Sequence, residues 1–541
     1  MSAVINKREY GRVNMRFGLS VALIGGLLAA LVASGGGVRA QTSGATVRID
    51  SGEVVGKFQL NAAVRAFLGI PFAAPPVGAL RWKPPQPVTP WQGARATTAY
   101  GAQCMQGGRS KNSVYYEYAG GDQPTSEDCL TLNVWAPTEP GNGKLPVMVW
   151  IYGGGFQQGS AANPVFDGAR LAARGTIVVS VNYRVGIFGF MAHPELTAES
   201  PQHASGNYGL LDQFAGLQWV KRNAAAFGGD PGNVTIFGQS AGAAAVTYLV
   251  ASPLARGLFA HGICESYGFA NKTMPGLPEG ESKGTALAEK LAVHSLAELR
   301  QLPAEKLLET RVAMGPIVDG WLLPENPYTI FAEGKEAPVP LLTGSNDDEG
   351  TTFPHAKTLA AYQQWVHLKY PDIADRVLAA YPADTDEAAR TANKHLVRDA
   401  LFAWGPWSVA RLHAKNGYPA FFYHFNHPQP LRAGIAYDEI DTPESLGTFH
   451  SSEYPYVFGT LDALTRDWTA ADRAISDRLQ AYWVAFAYSG SPNAPGLPHW
   501  PSFTEAADTT MYLGDNTKAG PVPNLEHLRM FDALPSPFNG F

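Results

Sequence analysis

The pentapeptide Gly238-Gln239-Ser240-Ala241-Gly242 constrains this chain more than any other stretch, because of what stands on either side of it. Before it runs Asn233 to Gly238 (NVTIFG), apolar and β-branched, which reads as a strand; after it comes Ala243 to Val250, which reads as a helix. A strand that becomes a helix within two residues must turn sharply, and so tight a turn has no room for a side chain two positions before or after its apex. Glycine fills both positions. The serine at the apex is then expected in a strained backbone conformation, with its hydroxyl clear of the sheet.

The surrounding pattern predicts what that turn is built into. Pro146 to Tyr152 (PVMVWIY) and Thr176 to Tyr183 (TIVVSVNY) are apolar without alternation, as strands covered on both faces are. Leu210 to Ala226 reads as a helix with Leu211, Phe214, Leu217, Trp219 and Val220 on its apolar side. Pro338 to Thr343 and Ala420 to Phe425 read as later strands, and Ile475 to Tyr488 as a C-terminal helix carrying Leu479, Trp483 and Phe486. Alternating strands and helices predict an α/β fold, a central, mostly parallel mixed sheet with helices on both faces. No linker divides residues 41–541, which read as one domain. Of the 541 residues 45% are hydrophobic and 16% charged, enough apolar material for one large core. The formal net charge of −6 argues against nucleic acid as a partner, since such binding draws on clustered Lys and Arg.

The first forty residues are of another kind. Lys7, Arg8, Arg12 and Arg16 precede an apolar run from Leu19 to Ala33, and Val38-Arg39-Ala40 offers small residues for cleavage before Gln41. This is the layout of a signal peptide over residues 1–40, with translation starting at Met1 or Met15. It predicts an exported protein, periplasmic or extracellular, without stable membrane insertion after cleavage; the competing reading is a retained N-terminal anchor. Three cysteines remain, Cys104, Cys129 and Cys264. In an oxidising compartment a Cys104–Cys129 bridge would close a short loop. Cys264 is left as a buried apolar thiol, since Gly262-Ile263-Cys264-Glu265 supplies no base or cation to hold a thiolate.

A serine hydroxyl is a weak nucleophile alone, so chemistry at Ser240 requires a base for its proton and donors for the charge that develops on a substrate oxygen. Tyr152-Gly153-Gly154-Gly155-Phe156 follows a buried strand, and its glycines allow backbone N–H groups to come close to a substrate. Gly154 and Gly155, with the Ala241 N–H at the start of the helix, form a candidate oxyanion hole. With chain order serine, acid, histidine, and an acid near Glu349, nine histidines from His355 to His527 qualify as base. Order alone does not choose among them.

Motifs along nearly the whole chain do choose. Phe67-Leu68-Gly69-Ile70-Pro71-Phe72, Pro75-Pro76-Val77-Gly78, Leu80-Arg81-Trp82, Glu127-Asp128-Cys129-Leu130, Asn182-Tyr183-Arg184-Val185-Gly186 and Gly209-Leu210-Leu211-Asp212-Gln213, with the serine turn and the triple glycine, resemble the type-B carboxylesterase and cholinesterase-like family of α/β-hydrolases. The resemblance implies an α/β-hydrolase fold with large loop and helical insertions over the site. It implies Glu349, in Asn346-Asp347-Asp348-Glu349-Gly350, as the acid of a triad and His450, in Gly447-Thr448-Phe449-His450, as its base, with Asp347 and Asp348 as solvated loop charges. Ser266 and Glu453 fall where the family supports the triad, although Tyr267 replaces the glycine usual after that serine. Arg81 is expected to pair with Glu127, and Arg184 with Asp212.

The resemblance further implies a serine carboxylesterase that acts on a small-molecule carboxylic ester through an acyl-enzyme and needs no metal or organic cofactor. Cholinesterases carry a Trp in the Cys104–Cys129 loop and an acid before the nucleophile; this chain has Tyr115, Tyr116 and Tyr118, and Gln239, which speaks against a cationic choline ester. Phe353, Phe402, Trp404 and Tyr116 are candidates to line the substrate pocket. Two other readings compete: a cholinesterase-like binding protein without activity, against which the retention of Ser240, Glu349 and His450 speaks, and an amidase or peptidase on the same fold. The natural ester and the oligomeric state are not encoded in any of these motifs.

Overall fold

Leu145–Ile151 and Ile177–Val181 are buried at every position, as continuous apolar runs require when neither face of their sheet meets water. They lie in a large mixed sheet whose strands, in chain order, are β1 Lys57–Gln59, β2 Val64–Pro71, β3 Thr131–Pro137, β4 Leu145–Ile151, β5 Ile177–Val181, β6 Gly229–Gln239, β7 His261–Glu265, β8 Leu341–Asn346, β9 Ala420–Phe425, β10 Thr509–Leu513 and β11 Lys518–Pro521. The order across the sheet is β1-β2-β3-β5-β4-β6-β7-β8-β9-β10-β11. From β5 to β10 neighbouring strands are parallel, while the pairs at both margins are antiparallel. This is the α/β-hydrolase fold anticipated from the sequence. The computed structural model describes residues 45–538 except 119, 120, 140, 142, 270, 433, 441, 443 and 444. The expected leader over residues 1–40, with its cleavage point after Ala40, lies outside the described residues.

Three helices matter for the site: α1 Tyr208–Asn223, α2 Ala241–Ala251 and α3 Ala470–Ser489. Every residue of α2 is buried, because it follows directly from the central strand β6 and packs against the middle of the sheet. Helix α3 packs Ile475, Leu479, Trp483 and Phe486 inward and begins with a capping box between Thr469 and Asp472. Among the described residues no helix is long and apolar enough to cross a membrane.

The strand order itself says where a ligand fits. From β4 the chain crosses to β5 on one side, and from β6 it crosses to β7 on the other. Adjacent parallel strands whose connections leave in opposite directions open a crevice at their C-terminal ends. The ends of β4 and β6 carry the triple glycine and Ser240 respectively.

Both ion pairs expected from the sequence are present. The Arg184 side chain grips Asp212 of α1 with Nε at 2.8 Å and Nη2 at 2.7 Å, and its backbone N–H adds a third bond at 3.0 Å. Arg81 donates to Glu127 from Nε at 2.7 Å and to the Leu302 carbonyl from Nη1 at 2.7 Å. Removing one partner of such a buried pair strands a charge and costs on the order of 3–5 kcal/mol. Both pairs therefore act on folding rather than on chemistry.

Cys104 and Cys129 are joined by a disulfide across 25 residues, beside a short parallel pairing of Gln103–Cys104 with Thr125–Ser126, and Cys264 is a buried free thiol. Burial pushes that thiol up to about 12, so it is not a nucleophile near neutrality. A loop of this length constrains the unfolded chain by about 3–4 kcal/mol. The double variant C104S/C129S is expected to lose about that much unfolding free energy in a denaturant titration, and thiol titration of the denatured, unreduced protein should find one thiol; three would exclude the bridge.

Candidate active site

Ser240 joins β6 to α2 with φ 56° and ψ −126°, a conformation that non-glycine residues adopt only when their surroundings impose it. The surroundings here are the end of β4. A Cβ at Gly242 would fall 2.0 Å from the Ile151 carbonyl oxygen, and one at Gly238 would fall 2.6 Å from the same atom. Elbow and strand thus touch backbone to backbone. The Ser240 N–H donates to the Glu265 carbonyl at 2.9 Å, which ties the apex to β7, and its carbonyl accepts from Ala244 N–H at 2.9 Å within α2.

The end of β4 is held by two tyrosines that exchange bonds. Tyr152 donates its hydroxyl to the Tyr183 carbonyl and Tyr183 to the Tyr152 carbonyl, both at 2.7 Å, with rings stacked 4.2 Å apart. From this anchor the chain turns through Gly153 to Gly155. Gly154 has φ 115°, and a Cβ there would lie 2.1 Å from the Gln158 carbonyl oxygen, so only glycine permits the turn. Among the described residues neither the Gly154 nor the Gly155 N–H has an acceptor within the protein. The Ala241 N–H belongs to the first turn of α2, where backbone donors lack helical partners.

Glu349 follows β8, and His450 lies on a loop that β8 holds in place. Asn346, the last residue of β8, donates Nδ2 to the Phe449 carbonyl at 3.0 Å and also to the Glu453 carboxylate. His450 Nδ1 meets Glu349 Oε1 at 3.1 Å. Gln239, beside the nucleophile, accepts from Tyr454 OH at 2.6 Å and from Ser451 Oγ at 3.2 Å, so the elbow and the histidine loop are bonded to each other. Ser266 Oγ donates to Glu453 Oε1 at 3.2 Å.

Asp347 keeps a side chain about half exposed, in line with the solvated charge expected, while its Oδ1 meets His424 Nε2 of β9 at 3.1 Å. Asp348 departs from that expectation: its Oδ2 accepts from the Thr448 N–H at 2.8 Å, because the loop after β8 doubles back against the histidine loop.

A cavity of about 540 Å³ opens at the serine, walled by Ser240, His450, Gly153 to Gly155, Ala241 and a set of aromatic rings. Phe353 and Phe402 are among them, with ring centroids 5.5 and 4.3 Å from the His450 ring. Trp404 is not: it is fully buried, stacks on Tyr328 and donates Nε1 to Asp532 at 3.2 Å. It follows Phe402 by two residues on a continuous helical stretch, and such residues face opposite ways. Tyr116 also misses the main cavity and borders a side hollow of about 220 Å³. The turn that carries it bonds Tyr118 N–H to the Tyr115 carbonyl at 3.1 Å, which puts Tyr115 and Tyr118 on one face and Tyr116 off it. Tyr267, noted from sequence only as a departure from glycine, lines the cavity, as do Arg109 and Glu439, which no motif marked.

Burial sets the electrostatics. Burial among these rings pushes the His450 imidazolium down to about 3, so the ring is neutral and free to accept a proton. Burial also raises the Glu349 carboxyl, and the nearby Glu453 raises it further. Glu453, itself buried, is raised to about 7 despite donors from Asn346 and Ser266. A third buried carboxyl, Glu265 at the end of β7, is raised by desolvation and by Glu453, and accepts from Trp483 Nε1 of α3 at 2.7 Å.

Comparison with known proteins gives the family. Residues 43–530 match the model of a family described as the carboxylesterase family. The chain is similar to the fumonisin B1 esterase of Sphingopyxis macrogoltabida, 38% identical over 478 residues and covering 84% of each chain. It is 37% identical to the para-nitrobenzyl esterase of Bacillus subtilis (strain 168) over 472 residues, 83% of this chain and 91% of that one. The liver carboxylesterase of Sus scrofa is 34% identical over 524 residues, 86% of this chain and 89% of its own.

The raised Glu453 has a consequence for stability. Its folded value of about 7 lies above the ordinary 4.5, so between those values the folded state keeps a proton that the unfolded chain has released, and stability falls as pH rises across the window. E453Q keeps the shape without the titration. Measured by denaturant unfolding, the stability of E453Q relative to the parent should rise between pH 4.5 and 7 by roughly 2–3 kcal/mol; a difference that stays flat across the window would rule the shift out.

Proposed function

Since the chain belongs to the carboxylesterase family and is a carboxylic ester hydrolase, we propose that Ser240 is its nucleophile, His450 its general base and acid, and Glu349 the carboxylate that orients the imidazole. The observation that carries this reading is the bond of 3.1 Å between His450 Nδ1 and Glu349, at the wall of the cavity that Ser240 also lines. With Nδ1 held, the remaining ring nitrogen is the one available to the hydroxyl.

Ser240 Oγ attacks the ester carbonyl while its proton passes to His450. Negative charge appears on the carbonyl oxygen and is met by the N–H groups of Gly154, Gly155 and Ala241, each such donor contributing about 3 kcal/mol in a dry site. The imidazolium, costly in this environment by itself, forms beside Glu349 and gives its proton to the departing alcohol. An acyl group then remains on Ser240. Water enters, loses a proton to His450, and releases the acid by the same steps in reverse. Ser266 and Glu453 act through position, since the Asn346-Glu453-Ser266 bonds steady the loop that bears His450.

The named relatives act on esters as unlike as those of fumonisin B1 and para-nitrobenzyl compounds. The family therefore supports the class of bond cleaved, and the aromatic wall supports esters with apolar parts. The leader pattern of residues 1–40 and the buried Cys104–Cys129 bridge support export, since disulfides persist in oxidising compartments.

S240A should fold with unchanged thermal midpoint and lose p-nitrophenyl ester turnover by about four orders of magnitude or more; normal turnover by the folded variant would remove the assignment. The parent should cleave the ester far faster than the anilide of the same acid, whereas comparable rates would favour an amidase. N-terminal sequencing of the exported protein should read from Gln41, and recovery of a chain that begins upstream in the membrane fraction would favour an anchor.

A further inference from the structure

The cavity at Ser240 is walled mostly by rings, yet it holds one guanidinium. Arg109 borders both this cavity and the side hollow next to it. Its Nε donates to Gln158 Oε1 at 3.4 Å and its Nη1 to Ser113 Oγ at 3.2 Å. Its Cζ lies 5.2 Å above the Tyr115 ring, whose centroid is 6.4 Å from that of His450. The guanidinium is thus held in a fixed pose one ring removed from the imidazole.

What it lacks is a direct salt bridge. Arg81, Arg184, Arg398 and Arg466 each pair with a carboxylate, whereas half-buried Arg65 is held by the Pro137 and Phe227 carbonyls, and among the described residues no carboxylate lies within salt-bridge reach of Arg109. The acid nearest in the wall is Glu439, which accepts from Ser113 Oγ and from the Val114 N–H at 3.0 Å; it reaches Arg109 through the shared Ser113 hydroxyl and by charge, not by a direct bond. Of the five N–H groups of a guanidinium two are engaged, and the Nη2 amino group has no acceptor among the described residues. A guanidinium held by two of its nitrogens in a low-dielectric wall, with its Nη2 amino group unengaged, is suited to bind a carboxylate.

We propose that Arg109 makes this esterase select substrates that carry a free carboxylate in addition to the ester, the carboxylate taking Nη2 while the ester carbonyl sits at Ser240. The inference rests on the assignment of Ser240 above. It names the substrate class as half-esters of dicarboxylic acids or esters of hydroxy acids, and it makes Arg109 a specificity residue outside the triad.

The test compares matched esters in the parent enzyme, R109Q and R109K, with kcat/KM read for each. Monobenzyl succinate is set against benzyl butyrate for a carboxylate on the acyl side, and O-acetylmandelate against benzyl acetate for one on the alcohol side. In at least one pair the anionic-to-neutral ratio should fall by about fivefold or more in R109Q, chiefly through KM, with partial recovery in R109K. Added salt should lower that ratio in the parent and leave it unmoved in R109Q. A smaller change of ratio in both pairs, or a salt response that survives R109Q, overturns the proposal. If R109Q does not fold, the parent's salt response and R109K decide in the same way. Benzyl butyrate turnover by S240A, measured alongside, tests the nucleophile separately, so failure of one assignment is not mistaken for failure of the other.

Discussion

The contact on which the site depends is between backbones: the Ile151 carbonyl at the end of β4 against the first turn of α2, where any Cβ at Gly242 would lie 2.0 Å from it. That approach sets the distance between the two strand ends that form the crevice. It forces Ser240 to φ 56°, lifts its hydroxyl over the sheet, and brings the triple glycine alongside. The tyrosine pair Tyr152 and Tyr183 keeps the β4 end from moving away, and the Glu265 carbonyl keeps the elbow from unwinding. Strain at one residue persists because neighbours on three sides over-determine it.

Around this frame the polar side chains are buried, and that burial has a cost in stability. It holds His450 neutral and leaves three carboxyls, Glu265, Glu349 and Glu453, with raised proton affinity. The bonds from Trp483, Asn346 and Ser266 offset part of that cost. The Asn346 and Ser266 bonds tie β8 and the end of β7 to the histidine loop under the cavity, while the Trp483 bond separately ties α3 to β7.

The cavity wall shows a division of labour. Phe353, Phe402, Tyr115 and Tyr267 shape the space, while Arg109 and Glu439 put one charge of each sign into its wall. On the proposal above, the rings accept esters of suitable size and the guanidinium discriminates by charge, which would separate substrate choice from the groups that break the bond.

Much of this was readable from the chain alone. The strand-glycine-serine-glycine-helix pattern fixed the elbow because the steric requirement is local, and the apolar runs fixed the buried strands because burial on both faces leaves no polar alternation. Family motifs led to Glu349 and His450, which chain order could not single out of nine histidines. What local pattern could not decide was direction. Phe402 and Trp404 look alike in sequence, and the helical turn between them sends one to the cavity and the other to Asp532; Tyr115 and Tyr116 part in the same way. Asp348 looked solvated until the loop after β8 folded back on Thr448. Arg109 carried no motif at all, since its meaning comes from the absence of a carboxylate partner among residues that only the folded chain brings near. Sequence determined which groups could react, because that depends on covalent neighbours and local backbone; the tertiary structure decided which of them share one dry cavity, because that depends on contacts between segments hundreds of residues apart.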